Sequence, residues 1–445
     1  MLLIYSPKKN NRLQYIVKFL FQNICGFEYV VTSSSEDFLN FRGAKINYSD
    51  RDIPGEHIQI VPWGLLQEKG LRDIQPDIIR KDGLMAMFSD ISKNNLCDMG
   101  FDIFSMAFYL VTRYEEYLPY IEDKFGRFEA DQSISYQKEF LEIPLVDKAT
   151  LLLKKKILSK FSFLNSRERK FEFIPTYDID VAYAYRGRGI SRNTLAISKD
   201  LLTLNFTNMS NRLKVFMKKL TDPFDTYEFQ LNLQKQYQLN PIYFFHVGDY
   251  GAYDKNISVH SPLYINLCKM LGDYAQTGVH PSFASHYKRN RLNIEIKRLS
   301  EILNREVENS RQHYLKIHLP DTYQDLIKNG IKKDFSMGYA THTGFRAGTC
   351  TPYPWYDLTS ETETPLLVYP VTVMDASLKS YMNLSIEDSI DRIKKLADEV
   401  KSVEGTFISL WHNDALSNFG IWKNWQKVYI EMLTYIKTLQ LTEND

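Results

Sequence analysis

From residue 171 onward, short apolar runs alternate with amphipathic stretches, and this rhythm restricts the fold more than any other feature of the chain. Seven candidate strands can be marked, at 171–177, 242–246, 277–280, 312–317, 331–336, 366–373 and 406–411. Between them, apolar residues recur at helical spacing. The clearest example is 386–400, where Ile386, Ile390, Ile393, Leu396 and Val400 share one face, Ser385 with Asp388 makes a capping box, and Gly405 follows the end. Apolar strands separated by helices are the pattern of a parallel sheet covered on both faces. The expected class is therefore α/β, with a distorted seven-stranded (β/α) barrel over 171–445.

The preceding residues read as a separate α/β domain, 1–165. A strand at 2–6 leads to a helix with Leu13, Ile16, Phe19 and Leu20 on one face, then to a strand at 27–32. Residues 101–120 form an apolar, aromatic helix that must pack on something. Its polar end, Arg113-Tyr114-Glu115-Glu116, reads as part of a surface or domain-contact helix, with a site as the alternative. A helix at 146–160 and a polar linker from Asn165 to Lys170 complete this part. A length of 445 residues, at roughly 150 per domain, accommodates such a division.

Charge excludes some partners. Lys and Arg number 55 against 54 Asp and Glu, which argues against a strongly basic nucleic-acid binder. No apolar run approaches the ~20 residues of a membrane-spanning helix. The N-terminus lacks the pattern of a secretory signal, and Cys25, Cys97, Cys268 and Cys350 are too scattered for a disulfide framework or a cysteine zinc site, so a cytoplasmic setting is expected. One basic, partly apolar stretch, Arg212, Lys214, Phe216, Met217, Lys218, Lys219 and Leu220, suits either weak contact with a membrane surface or phosphate-bearing carrier, or a plain exposed helix. Arg186, Arg188 and Arg192 add positive charge nearby.

Histidine locates the chemistry. Of nine, only His57 lies in the first half. Active residues of β/α folds follow the C-terminal ends of strands. Reading those positions gives Asp178 and Asp180, then His280, then Arg311 with His313, then Arg346 in a glycine-rich loop, then Asp375, and last His412. His246 also ends a strand, where it suits substrate contact or a structural role. A carboxylate with imidazoles is a ligand set for a zinc-like divalent ion, which lowers the pKa of water from about 15.7 to near 7. A turn after the first strand would let one Asp face a metal and the other face the attacking water. Tyr339, Tyr353, Trp355 and Trp411 lie near the expected rim, where rings can stack on sugars.

These motifs, Thr176-Tyr177-Asp178-Ile179-Asp180, His280-Pro281-Ser282-Phe283 and Ser409-Leu410-Trp411-His412-Asn413-Asp414, together resemble the polysaccharide deacetylase family, the NodB-homology or family 4 carbohydrate esterases. The likeness covers about 171–445. It looks closest to a Bacteroidetes-type branch in which Gly344-Phe345-Arg346-Ala347-Gly348-Thr349 and Arg311-Gln312-His313-Tyr314-Leu315 recur behind an uncharacterised N-terminal domain. The resemblance implies a metal-dependent hydrolase of non-peptide carbon–nitrogen bonds that deacetylates an N-acetylated sugar in a glycan or a biosynthetic intermediate. It implies Asp178 as base, Asp180 and His280 as ligands of a divalent metal (Zn, or alternatively Co, Ni or Mn), and His412 as general acid oriented by Asp375. The arginine that pairs with the base falls on Arg311 or Arg346. The family's second histidine falls on Ala284, a departure. His313 is then the favoured third ligand, with His286 as the rival if its loop bends. If neither reaches, the chain is a degenerate glycan-binding or scaffolding relative. An amidase of small cyclic amides is a further alternative on the same barrel.

Overall fold

A computed structural model describes residues 1–89 and 97–441. The N-terminal part holds a parallel four-stranded sheet of β1 (Leu2–Tyr5), β2 (Tyr29–Thr32), β3 (Ala44–Tyr48) and β4 (Ile58–Ile60), in the order β2-β1-β3-β4. A hairpin of β5 (Ile78–Lys81) and β6 (Leu84–Met87) follows. The helix Ile103–Val111 is buried along its whole length, and Asp102 caps it by accepting hydrogen bonds from the amides of Phe104 and Ser105. A sixteen-residue helix, Leu145–Lys160, closes this part.

The larger sheet contains β7 (Glu172–Ile179), β8 (Ile242–Phe245), β9 (Gln276–Val279), β10 (Asn309–Ser310), β11 (Lys333–Asp334), β12 (Tyr353–Asp357), β13 (Thr362–Val368), β14 (Val373–Met374) and β15 (Thr406–His412). Their order is β12-β13-β11-β10-β9-β8-β7-β15-β14, parallel throughout except for β12 against β13. The expected barrel is corrected here: among the described residues the sheet does not close. Where closure would be needed, Pro370 lacks an N–H for a ladder. Isolated loop bonds take its place, from the amide of Val371 to the carbonyl of Met337 (2.9 Å) and from that of Gly344 to Thr372 (2.9 Å). The sheet nevertheless curves around shared apolar contents, with Ile242, Phe244, Phe335, Met374, Ile408 and Leu410 in one buried cluster.

Strand positions at 172–179, 242–245, 276–279 and 406–412 match the sequence reading. The run at 312–317 does not form a strand. β10 ends at Ser310, and 313–315 is a helical turn in which Tyr314 has φ 62°. The expected run at 366–373 splits into β13 and β14, and antiparallel β12 went unread. The helix Ile386–Lys401 forms as expected, with the Ser385 hydroxyl accepting from the Asp388 amide at 3.0 Å. Ser385→Ala should cost about 1 kcal/mol of stability in urea unfolding, the usual worth of such a cap. All four cysteines are free. No helix among the described residues is long and apolar enough to cross a membrane.

Candidate metal and acid–base site

The site collects at the C-terminal ends of β7, β8, β9, β10, β14 and β15. Alternation along β7 places its carboxylates. Tyr177 and Ile179 turn into the main apolar core, so Thr176, Asp178 and Asp180, each two residues apart, share the opposite face. No turn is needed to aim the two Asp residues, contrary to the expectation from sequence.

Arg311, following β10, donates from Nη1 to Asp178 Oδ1 at 2.9 Å and to the Thr176 hydroxyl at 2.6 Å, while its Nε binds the Phe335 carbonyl. Both Arg311 and Asp178 are buried. Of the two arginines, Arg311 is the one that meets Asp178. Arg346 instead grips Glu116 through Nε (2.8 Å) and Nη2 (2.6 Å), and Glu116 also accepts from Arg113 Nε at 2.7 Å. The glycines around Arg346 let it pack closely on the N-terminal part, Gly344 on backbone and Gly348 on a side chain. A Cβ on Gly344, at φ +123°, would lie 2.5 Å from the Leu141 carbonyl oxygen, and one on Gly348 would crowd Leu110. Thus Arg346, the alternative to Arg311 in the sequence reading, lies on Glu116 and not beside Asp178, and it ties the N-terminal part to the larger sheet.

Asp180 meets three imidazoles. His280 Nε2 is 3.0 Å from its Oδ1, and His313 Nε2 and His412 Nε2 are 3.4 and 3.6 Å from its Oδ2. The Asp180, His280 and His313 donor atoms lie within 4.8 Å of one another. His280 Nδ1 faces the Arg311 carbonyl at 2.5 Å, and His313 Nδ1 faces Asp254 Oδ1 at 3.0 Å. Each ring therefore turns its Nδ1 to an oxygen and its Nε2 toward Asp180. Asp180 Oδ1 is buried without a well-formed hydrogen bond. A buried carboxylate with two imidazole nitrogens turned toward it is the donor set of a zinc-like ion, so the residues present fit a divalent cation. Burial would raise the Asp180 carboxyl, but His313 and His280 hold it well below the carboxylate range. Against its own burial, His313 is carried up to about 9 by Asp180 and Asp254.

His412 ends β15 with Nδ1 2.8 Å from Asp375 Oδ1, and its amide donates to the other Asp375 oxygen at 2.6 Å. Asp375 overcomes the effect of burial and, with Asp180 and Asp178, keeps the His412 imidazolium well above its ordinary range. A cavity of about 200 Å³ joins these groups, lined by Asp178, Asp180, His280, His313, His412 and Tyr381.

His286 is not among these donors. It ends the turn Phe283–His286 and lines a neighbouring cavity with Lys316 and His318. Burial, with Lys316 next, pulls it down to about 3. Position 284 shows why. The amides of Phe283 and Ala284 point at Asp254 (2.9 and 3.4 Å), so the turn packs on that carboxylate. Asp254 was missed from sequence. It is a buried loop residue with no strand-end mark, and it orients His313 while facing His246 Nε2 at 3.6 Å. Burial lowers His246 to about 4. Arg127, from the N-terminal part, also lines the cavity and donates to the Tyr314 carbonyl. Tyr339, Tyr353, Trp355 and Trp411 are buried and form no rim; Tyr314 and Tyr381 line the cavity instead.

Residues 2–162 match DUF7033, a family of unknown function. No curated protein matches the chain. Among solved structures, a Mycobacterium smegmatis protein named as a polysaccharide deacetylase is 12% identical, covering 60% of this chain and 85% of that one at a TM-score of 0.40. The Bacillus cereus polysaccharide deacetylase Bc1974 is 11% identical over 61% and 88%, at 0.29. PuuE allantoinase is 10% identical over 60% and 84%, at 0.37. Over about 60% of its length, then, the chain is similar in structure to proteins named as polysaccharide deacetylases.

Proposed function

We propose that this chain is a metal-dependent hydrolase of carbon–nitrogen bonds that removes acetyl from an N-acetylated sugar. The observation that carries the reading is the convergence of Asp180, His280 and His313 between two supported groups, Asp178 on Arg311 and His412 on Asp375. Asp180, His280 and His313 would hold the ion, Zn by donor type with Co, Ni or Mn as substitutes, and a bound ion supplies carbonyl polarisation and a more acidic water.

The chain's own residues carry the protons. Asp178, fixed by the Arg311 guanidinium, accepts the proton of the attacking water at its second oxygen. His412, its ring oriented by Asp375, gives a proton to the departing amine. Tyr314 and Tyr381 give ring surface beside the cavity for a sugar. The sequence motifs support the same reading, and His313 supplies the donor that Ala284 does not, which favours an enzyme over a degenerate binding module. The division into units 1–165 and 171–445 is proposed with it, supported by the two separate sheets.

Release of acetate from N-acetylhexosamine oligosaccharides by the zinc-loaded full chain tests the reading. Absence of bound ion after loading, or acetate release unaffected by chelation, would overturn it. His313→Ala should lower metal content severalfold or more, whereas His286→Ala should leave it unchanged; the reverse pattern would transfer the third ligand to His286.

A further inference from the structure

We propose that the helical hairpin between β7 and β8 docks on an anionic phospholipid bilayer. It consists of the helices Ile190–Leu202 and Phe206–Phe216. Its polarity is inverted. A helix pair on a soluble protein ordinarily buries its leucines and exposes its amides and charges. Here the seam is polar: Asn208 Nδ2 donates to Asp200 Oδ1 at 2.7 Å, Arg212 donates to Asp200 Oδ2 and Asn193 Oδ1 at 3.2 Å each, and the Tyr185 hydroxyl donates to Asn208. The outer surface and the turn carry the apolar residues. Leu195, Leu202 and Leu204 are 73%, 84% and 71% exposed, and Leu201, Phe206, Leu213, Phe216, Met217 and Leu220 are exposed as well. No other segment of the described residues gathers so many large exposed apolar side chains.

Charge selects the occupant. Between residues 186 and 220 the chain has eight Lys or Arg and a single acid, Asp200. Asp200 is buried and committed to Arg212. Lys199, Lys214, Lys218 and Lys219 are exposed beside the leucines, with no exposed carboxylate on the hairpin to neutralise them. An apolar surface set among unpaired cations matches the boundary between acyl chains and anionic headgroups. A protein partner would need a surface both apolar and strongly acidic. The hairpin leaves β7 just after Asp178 and Asp180 and is anchored at its base by Val215 against Ala184 and Tyr185.

Sedimentation of the full chain with vesicles tests this, and because it needs no catalytic assay, its outcome is separate from that of the hydrolase reading. The chain should pellet with vesicles containing equal parts phosphatidylcholine and phosphatidylglycerol, far less with phosphatidylcholine alone, and less as salt is raised. Leu202→Ser/Leu204→Ser/Phe206→Ser should weaken binding at least about tenfold. Lys214→Glu/Lys218→Glu/Lys219→Glu, confined to exposed side chains and checked by thermal melting, should weaken it by about a hundredfold. A wild-type chain that ignores anionic vesicles, or variants that bind like wild type, would overturn the proposal. So would self-association through the same leucines, seen as a wild-type dimer that the serine variant abolishes, because the face would then be a protein contact.

Discussion

Asp180→Ala should remove both the bound ion and turnover, whereas Asp178→Asn should keep the ion and lose about 10²- to 10⁴-fold in turnover, the usual share of a general base. The difference follows from what each carboxylate touches. Among the described residues Asp180 is the carboxylate grouped with both His280 and His313, so its loss leaves two neutral imidazoles to hold a dication. Asp178 is bonded to Arg311, and an Asn amide oxygen can still accept from Nη1 at the same place. Shape and the guanidinium contact survive, and basicity alone is lost. Metal content by mass spectrometry and acetate release, measured on the same samples, separate the two effects. Full activity in Asp178→Asn would remove it as the base. A full complement of metal in Asp180→Ala would move the ion elsewhere, and the His246, Asp254 and His313 group is the place to look.

Glu116→Ala should be the most destabilising single change away from the cavity, by about 3–5 kcal/mol in urea unfolding, the range for breaking a buried ion pair. Glu116 lies between the guanidiniums of Arg113 and Arg346, and all three side chains are buried. Removing it leaves the buried Arg346 without a carboxylate and Arg113 with Glu115 alone, at 2.8 Å from Nη2. The same group should make stability sensitive to acid. Burial would raise the Glu116 carboxyl, but Arg346 and Arg113 bring it down from its ordinary value of 4.5 to about 2. A carboxyl depressed in the folded state adds stability above its unfolded value and loses it as the pH falls. This contribution is therefore complete above about pH 4.5 and gone near pH 2, and Glu116→Gln should flatten the acid limb of unfolding free energy within that window. A Glu116→Ala chain as stable as wild type would show that the Arg113–Glu116–Arg346 cluster contributes no net stability.

The strand-and-helix rhythm was readable because it is local. Period 2 in β7 and period 3.6 in 386–401 report burial without knowledge of any partner. The strand-end donors Asp178, Asp180, His280 and His412 were found for the same reason, since the end of an apolar run can be seen in one dimension. Tyr353 and Trp355 were misplaced because aromatic composition does not say whether a ring faces a cavity or a core.

What the sequence by itself determined is an α/β chain whose parallel strands carry acidic and imidazole groups at one end, because hydrophobic period and strand-end position are properties of neighbouring residues. Tertiary structure alone decided which arginine reaches Asp178, which histidine joins His280 beside Asp180 and whether the sheet closes. Arg311 and Arg346 are chemically equivalent in the chain; they differ because Glu116, 230 residues away from Arg346, folds over one of them and Asp178, 133 residues away from Arg311, meets the other. His313 is favoured over His286 because Asp254 turns its ring toward Asp180. Such choices depend on contacts between distant segments, and no spacing within a single stretch of sequence encodes them.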